Sequence, residues 1–151
     1  MSSKPDLAEA IEQIIDKVEE ELNTAVGSSL SEVKTVARGE AVRPKPMPPI
    51  MWIYTDTARV SPDSTTLREV WEMPIMLVAV VQDSQDPKRG QALATKLAAK
   101  ARTVIINDRK LGLSFVNYVE STAFEPRTRF PAEGGKYSAG TAISVTFTIF
   151  E

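Results

Sequence analysis

The sequence predicts an α+β domain of two layers: a mostly antiparallel, mixed sheet with two helices packed on one face, in the order α-β-β-β-α-β-β. Three observations predict it. Apolar residues recur at helical spacing near the N-terminus and again between Pro87 and Ile106. The segment after Pro74, Ile75-Met76-Leu77-Val78-Ala79-Val80-Val81, is apolar without a break and rich in valine, which is strand chemistry. The C-terminus alternates strictly, with Ile143, Val145, Phe147 and Ile149 on one side and Ser144, Thr146 and Thr148 on the other.

In chain order, Asp6 is a helix N-cap with Glu9 three residues on, and Leu7, Ile11, Ile14, Ile15, Val18 and Leu22 form the buried stripe. Glu9, Glu12, Asp16, Glu19 and Glu20 occupy the opposite, solvated face. Gly27-Ser28-Ser29 makes the exit turn, and a strand follows around Val33, Val36 and Ala37, closed by Gly39. Arg43-Pro44-Lys45-Pro46-Met47-Pro48-Pro49 is too rich in proline for a central strand and reads as an extended connector. Ile50 to Tyr54 is the next strand, with an antiparallel neighbour expected. Leu67 to Met73 runs into the apolar stretch, where the missing N–H of Pro74 predicts a bend or bulge and places Arg68 to Met73 near a sheet edge. Because the run after Pro74 is continuous, both its faces are expected to be covered.

Ser84-Gln85-Asp86-Pro87 is a strong helix start, with Ser84 or Asp86 as the cap, and Leu93, Leu97, Ala101, Val104 and Ile105 make the buried stripe of the second helix. Phe115 to Phe124 alternates as a strand with mixed faces. A long loop with two prolines and Gly134-Gly135 then leads into the last strand. If that strand lies at an edge, neither Pro nor Lys between Thr141 and Phe150 guards it against pairing with another chain.

With 151 residues, 42% apolar and 25% charged, the chain is expected to form a single domain with one core. The net charge of -2 provides no general attraction for nucleic acid or anionic lipid. Cysteine and histidine are both absent, which removes disulfides, thiolate nucleophiles, Cys/His zinc sites and Ser-His or Cys-His pairs. No apolar run approaches the roughly 20 residues of a membrane span, and the N-terminus lacks a signal core, so a protein made and kept in the cytosol is expected unless an assembled particle carries it out. Asp83-Ser84-Gln85-Asp86 lacks the ligand pattern of a calcium loop, and Gly134-Gly135-Lys136-Tyr137 that of a phosphate loop. No catalytic, cofactor or metal residue is therefore assigned, and enzymatic activity is not expected.

Interface chemistry is easier to find. Arg127, Arg129, Phe130, Lys136 and Tyr137 interleave cations and aromatic rings on the long loop, the side chains that anchor protein interfaces. Arg43, Lys45 and Met47 in the proline connector, and Arg68 and Trp71 before Pro74, complete the candidate interface residues.

The N-terminal amphipathic helix, proline-interrupted connector, central Pro-Ile-Met-Leu-Val-Ala-Val-Val strand, helix from Pro87 to Ile106 and closing Thr-Ala-Ile-Ser-Val-Thr-Phe-Thr-Ile-Phe strand together resemble the tail terminator proteins of long-tailed bacteriophages. The resemblance covers most of the chain and is one of element order, size and strand character. It implies a virion structural protein, assembled in the host cytoplasm: a homo-oligomeric ring, usually a hexamer, at the head-proximal end of the tail. Such a ring caps the tail tube, stops its polymerisation and meets a head completion or connector protein, while DNA passes through the lumen without specific binding. Other head-tail completion proteins, and caps of phage-like contractile particles, share this general look. A different class of function, a small-molecule or peptide-binding module, would need a pocket between the helices and the sheet with the proline segment as its lid.

Overall fold

The computed structural model describes residues 5–39, 49–65, 68–82, 86–126 and 136–150. In chain order the elements are α1 (Leu7–Val26), β1 (Thr35–Arg38), β2 (Ile50–Thr55), β3 (Arg59–Val60), β4 (Arg68–Gln82), α2 (Pro87–Ile106), β5 (Val116–Glu125) and β6 (Lys136–Phe150). The fold is α+β with a mostly antiparallel, mixed sheet, as expected, and the two-residue β3 is an addition to the expected order.

Both helices start where local chemistry directs. Asp6 accepts a hydrogen bond from the Glu9 backbone N–H at 2.8 Å, and Asp86 accepts from those of Lys88 and Arg89 at 3.1 and 3.2 Å, satisfying donors that helix geometry leaves free. Pro87 follows its cap at a position where a missing N–H costs nothing.

The sheet order is β1-β2-β4-β6-β5. Among the described strands only β1 and β2 run parallel; β2 with β4, β4 with β6 and β6 with β5 are antiparallel. The centre is the pair of 15-residue strands β4 and β6, in register from Arg68 opposite Phe150 to Gln82 opposite Lys136. Met51 and Ile53 of β2, Met73, Ile75, Leu77, Ala79 and Val81 of β4, and Ala139, Ile143, Val145 and Phe147 of β6 face the helices and join Ile14, Val18, Leu22, Leu97, Ala101 and Ile105 in one core. Each large side chain buried there contributes roughly 1.5–3 kcal/mol before entropy is subtracted. Phe147 and Phe115 meet edge to face, their ring centres 6.5 Å apart.

The edge position that would have opened the C-terminal strand to pairing is not realised: β6 lies between β4 and β5, and the edges are β1 and β5. Two expectations need correction. Pro74 makes no bulge, for the register of β4 with β6 passes through Pro74 opposite Ser144 without a shift. The carbonyl of Pro74 accepts from the Asp56 N–H at 3.1 Å, just past Thr55, where the pairing with β2 ends. A strand residue points its N–H and C=O to the same side, so the missing donor faces the place where β2 peels away and costs the β6 ladder nothing. Arg68 to Met73 is accordingly paired with β6 throughout, and β3 closes part of its other side through Arg59 opposite Glu72 and Val60 opposite Trp71.

The second correction concerns the apolar run, whose two faces are treated differently. Its helix-side residues are fully covered, whereas Pro74, Met76 and Val80 on the outer face are only partly buried. Near the far end of that face the threonines of β6 do not look into water either. Thr146 and Thr148 are buried, and the Thr148 hydroxyl exchanges hydrogen bonds with the Asn117 amide at 2.9 and 3.1 Å.

Candidate interface surfaces

The candidate residues do not form one site. Arg43, Lys45, Met47, Arg127, Arg129 and Phe130 lie outside the described residues. Lys136 opens β6 opposite Gln82, and Tyr137 next to it packs against the core opposite Val81. Trp71 also packs against the core, opposite Phe147, and its indole N–H donates to Glu69 at 3.1 Å. Trp71 and Tyr137 are thus ten rungs apart along β4, about 33 Å at strand spacing. Arg68 is exposed at the Trp71 end.

What the topology does gather is the ends of loops. The start of β2, the end of β4, the end of β5 and the start of β6 share one end of the sheet, together with the N-terminus of α2. The Gln91 side-chain amide of α2 donates to the carbonyls of Pro126 and Ser138, and the Thr95 hydroxyl donates to Pro126 at 3.2 Å. The first turns of α2 therefore hold both roots of the β5–β6 connection, on either side of the candidate cations Arg127 and Arg129. The proline connector is anchored similarly: the Gly39 N–H donates to Ile53 at 2.7 Å and the Lys34 N–H to Pro49 at 2.8 Å. A side chain at position 39 would run into the ring of Tyr54, so only glycine permits this close approach.

The outer face of the sheet is a second surface. Trp52 and Tyr54 of β2, Pro74, Met76 and Val80 of β4, and Ala142 of β6 stand on it, partly buried, around the buried Ile50 and Val78. Trp52 pairs with Val78 and tilts against Tyr54, with ring centres 6.3 Å apart. Burial raises the pKa of the Tyr54 phenol, so the ring remains neutral.

The sheet edges are guarded. β5 has two register irregularities, carries Glu120 and Glu125, and is flanked by Arg109, which donates to the Val119 carbonyl at 3.2 Å, and Arg102, which donates to the Ser121 hydroxyl at 2.9 Å. β1 is four residues long and polar at its end. Bulges, charges and shortness all hinder strand addition. At β1 the acidic face of α1 finds a partner that sequence reading missed. Arg38 reaches Glu12 at 3.1 Å, Glu19 at 3.5 Å and also Asp16, a row at helical spacing. Burial alone would lower the pKa of Arg38, but the Glu12 hydrogen bond and the charges of Asp16, Glu19 and Glu12 outweigh it and raise it.

One carboxyl group is perturbed. Glu21 on α1 places Oε2 out of reach of solvent and of any hydrogen-bond donor. Burial, then the hydrogen bond and charge of Asp108 in the turn after α2, push its carboxyl up to about 8, with Lys17 acting downward and Glu20 upward. In the same turn Leu111 is fully buried with φ +52° and Gly112 has φ +66°, lying beneath the stem of Lys17. Among the described residues, no group of three or more carboxylates is placed to hold a metal ion. No described helix is long and apolar enough to cross a membrane.

No family model matches the chain, and a search of curated proteins finds no match. The functional reading accordingly rests on these surfaces and on the resemblance drawn from the sequence.

Proposed function

We propose that the protein is a structural subunit of the tail-terminator type, forming a homo-oligomeric ring, a hexamer by that resemblance. In this reading the ring caps a tail tube, ends its growth and offers a surface to a head completion or connector protein, while DNA passes through the lumen. It would be part of the virion, at the head-proximal end of the tail, and would act without catalysis or cofactor.

The outer sheet face carries this reading. An antiparallel sheet with helices on one side and water on the other shows polar side chains outward. Here that face presents Trp52, Tyr54, Pro74, Met76, Val80 and Ala142, a surface suited to burial against protein. The interior between α2 and the sheet, where a small-molecule site would lie, is occupied by the fully buried Ala94, Leu97, Ala98 and Ala101 packed on the strands.

The test is mass photometry of the purified chain over a range of concentrations, with electron microscopy of tail tubes assembled in its presence. A closed ring and tubes of limited length with a cap at one end are expected. Trp52→Glu and Met76→Glu, on the face away from the helices, should abolish capping while leaving the circular dichroism spectrum unchanged. A chain that stays monomeric throughout and leaves tube growth unaffected would overturn the proposal.

A further inference from the structure

α1 is fastened differently on its two flanks. Toward β1, Arg38 meets the opposite charges of Glu12, Asp16 and Glu19. Glu21 comes later on the helix, and at about 100° per residue the step from Glu12 turns through about 900° and ends on the opposite flank, beside the turn after α2. There the facing group is another carboxylate. Asp108, in that turn, stands against Glu21, whose Oε2 is closed to solvent and to any hydrogen-bond donor.

The remaining charges that face Glu21 are Lys17 and Glu20, both on α1, and Lys17 is itself 3.6 Å from Glu20. In the turn, Arg109 donates to the Val119 carbonyl and Lys110 is exposed. The turn holds Asp108 in place: its carbonyl accepts from the Leu111 N–H at 3.0 Å, and the Leu111 side chain is fully buried. α1 is also the less embedded helix. It packs chiefly on α2 and on the four-residue edge strand β1, whereas α2 packs on β4, β6 and β5.

We infer that the contact between α1 and the turn after α2 is a proton-held latch: the helix seats against the turn while Glu21 is protonated, and once Glu21 ionises two carboxylates face each other across the seam and the C-terminal half of α1 opens more often, in a local motion that leaves the β4–β6 pair intact. Like charges in one confined site oppose each other's ionisation, so the proton is what permits the close seat. The sign follows from the two states. The carboxyl titrates at about 8 in the closed seam against 4.5 in an ordinary glutamate, and opening returns it to the ordinary value. Opening therefore becomes more frequent as pH rises from about 4.5 and levels off above about 8. The inference is independent of the ring reading and concerns a motion within one chain.

Amide hydrogen exchange of the full chain, measured in low concentrations of urea at about pH 5, about pH 6.5 and about pH 8, tests it. Amides from Glu19 to Val26 should exchange through an opening that barely responds to urea below the unfolding transition, which marks it as local. After correction for the intrinsic pH dependence of exchange, that opening should become at least about tenfold more frequent from about pH 5 to about pH 8. Amides of β4 and β6 should exchange at least about tenfold more slowly than those of α1 at each pH. In Glu21→Gln the opening should no longer depend on pH. In Asp108→Asn, which leaves Glu21 in place, the dependence should shrink. Amides of α1 that exchange only through global unfolding, with the urea response of β4 and β6, would overturn the latch. So would a wild-type opening that ignores pH, or a pH dependence that survives in Glu21→Gln.

Discussion

Replacing Glu21 with glutamine should stabilise the protein at neutral and alkaline pH and change little near pH 4. The Glu21 carboxyl has a pKa of about 8 in the fold against 4.5 for an ordinary glutamate. Between those values the folded chain holds a proton that the unfolded chain releases, so stability falls as pH rises through the window and levels off above about 8. One pKa unit corresponds to about 1.4 kcal/mol, which puts the ceiling of the loss at about 3 kcal/mol by pH 7. Glu21 is part-exposed, and solvent screening trims the expected difference to about 1–2 kcal/mol. Glutamine keeps the shape, cannot ionise and can donate to Asp108. Urea unfolding of both proteins at pH 4.5, 7 and 8.5 measures the effect: the curves should nearly coincide at the lowest value and separate as pH rises. Asp108→Asn removes the neighbouring charge and should shrink the pH dependence of the wild-type background. A wild-type stability that climbs from pH 5 to pH 8, or a gap that is the same at every pH, would refute the reasoning.

Phe147→Ala should cost about 3–5 kcal/mol in chemical denaturation, since the ring is fully buried and loses its edge-to-face contact with Phe115. Gln91→Ala removes the amide that joins the two hairpin roots. It should cost about 1–2 kcal/mol and speed amide exchange around Pro126 and Ser138, with the far end of β6 unaffected.

Much of the fold was legible because its rules are local. Asp6 caps the helix it was expected to cap, Asp86 is the cap of α2 out of the two candidates Ser84 and Asp86, and the buried stripes of both helices follow from 3.6-residue spacing. The alternation of β6 correctly marked Ile143, Val145 and Phe147 as core. Other residues were not legible, for reasons that can be named. Leu30 and Leu111 are fully buried yet belong to no strand or helix, so no period marks them, while Val33, read as part of the first strand, is buried just before β1 begins. Arg38 reads as the polar end of a short strand, and only the packing of β1 beside α1 makes it the partner of three carboxylates. Trp71 and Tyr137 look like exposed anchors in the sequence, but the register of β4 with β6 turns both toward the helices.

The sequence by itself determined where the helices and the main strands lie, which residues cap and fill them, and that cysteine and histidine chemistry is closed to this protein. Capping, periodicity and composition act over a few residues, and a chain carries them wherever it goes. The order of the strands was decided only by the tertiary structure, which put β6 at the centre, left β1 and β5 as guarded edges and let Pro74 sit harmlessly where β2 departs. It also decided which face of the apolar run goes uncovered by helices, and that Arg38 of β1 meets the acidic row of α1. Those outcomes depend on which strand pairs with which across long stretches of chain, and no spacing within one segment encodes the identity of its neighbour.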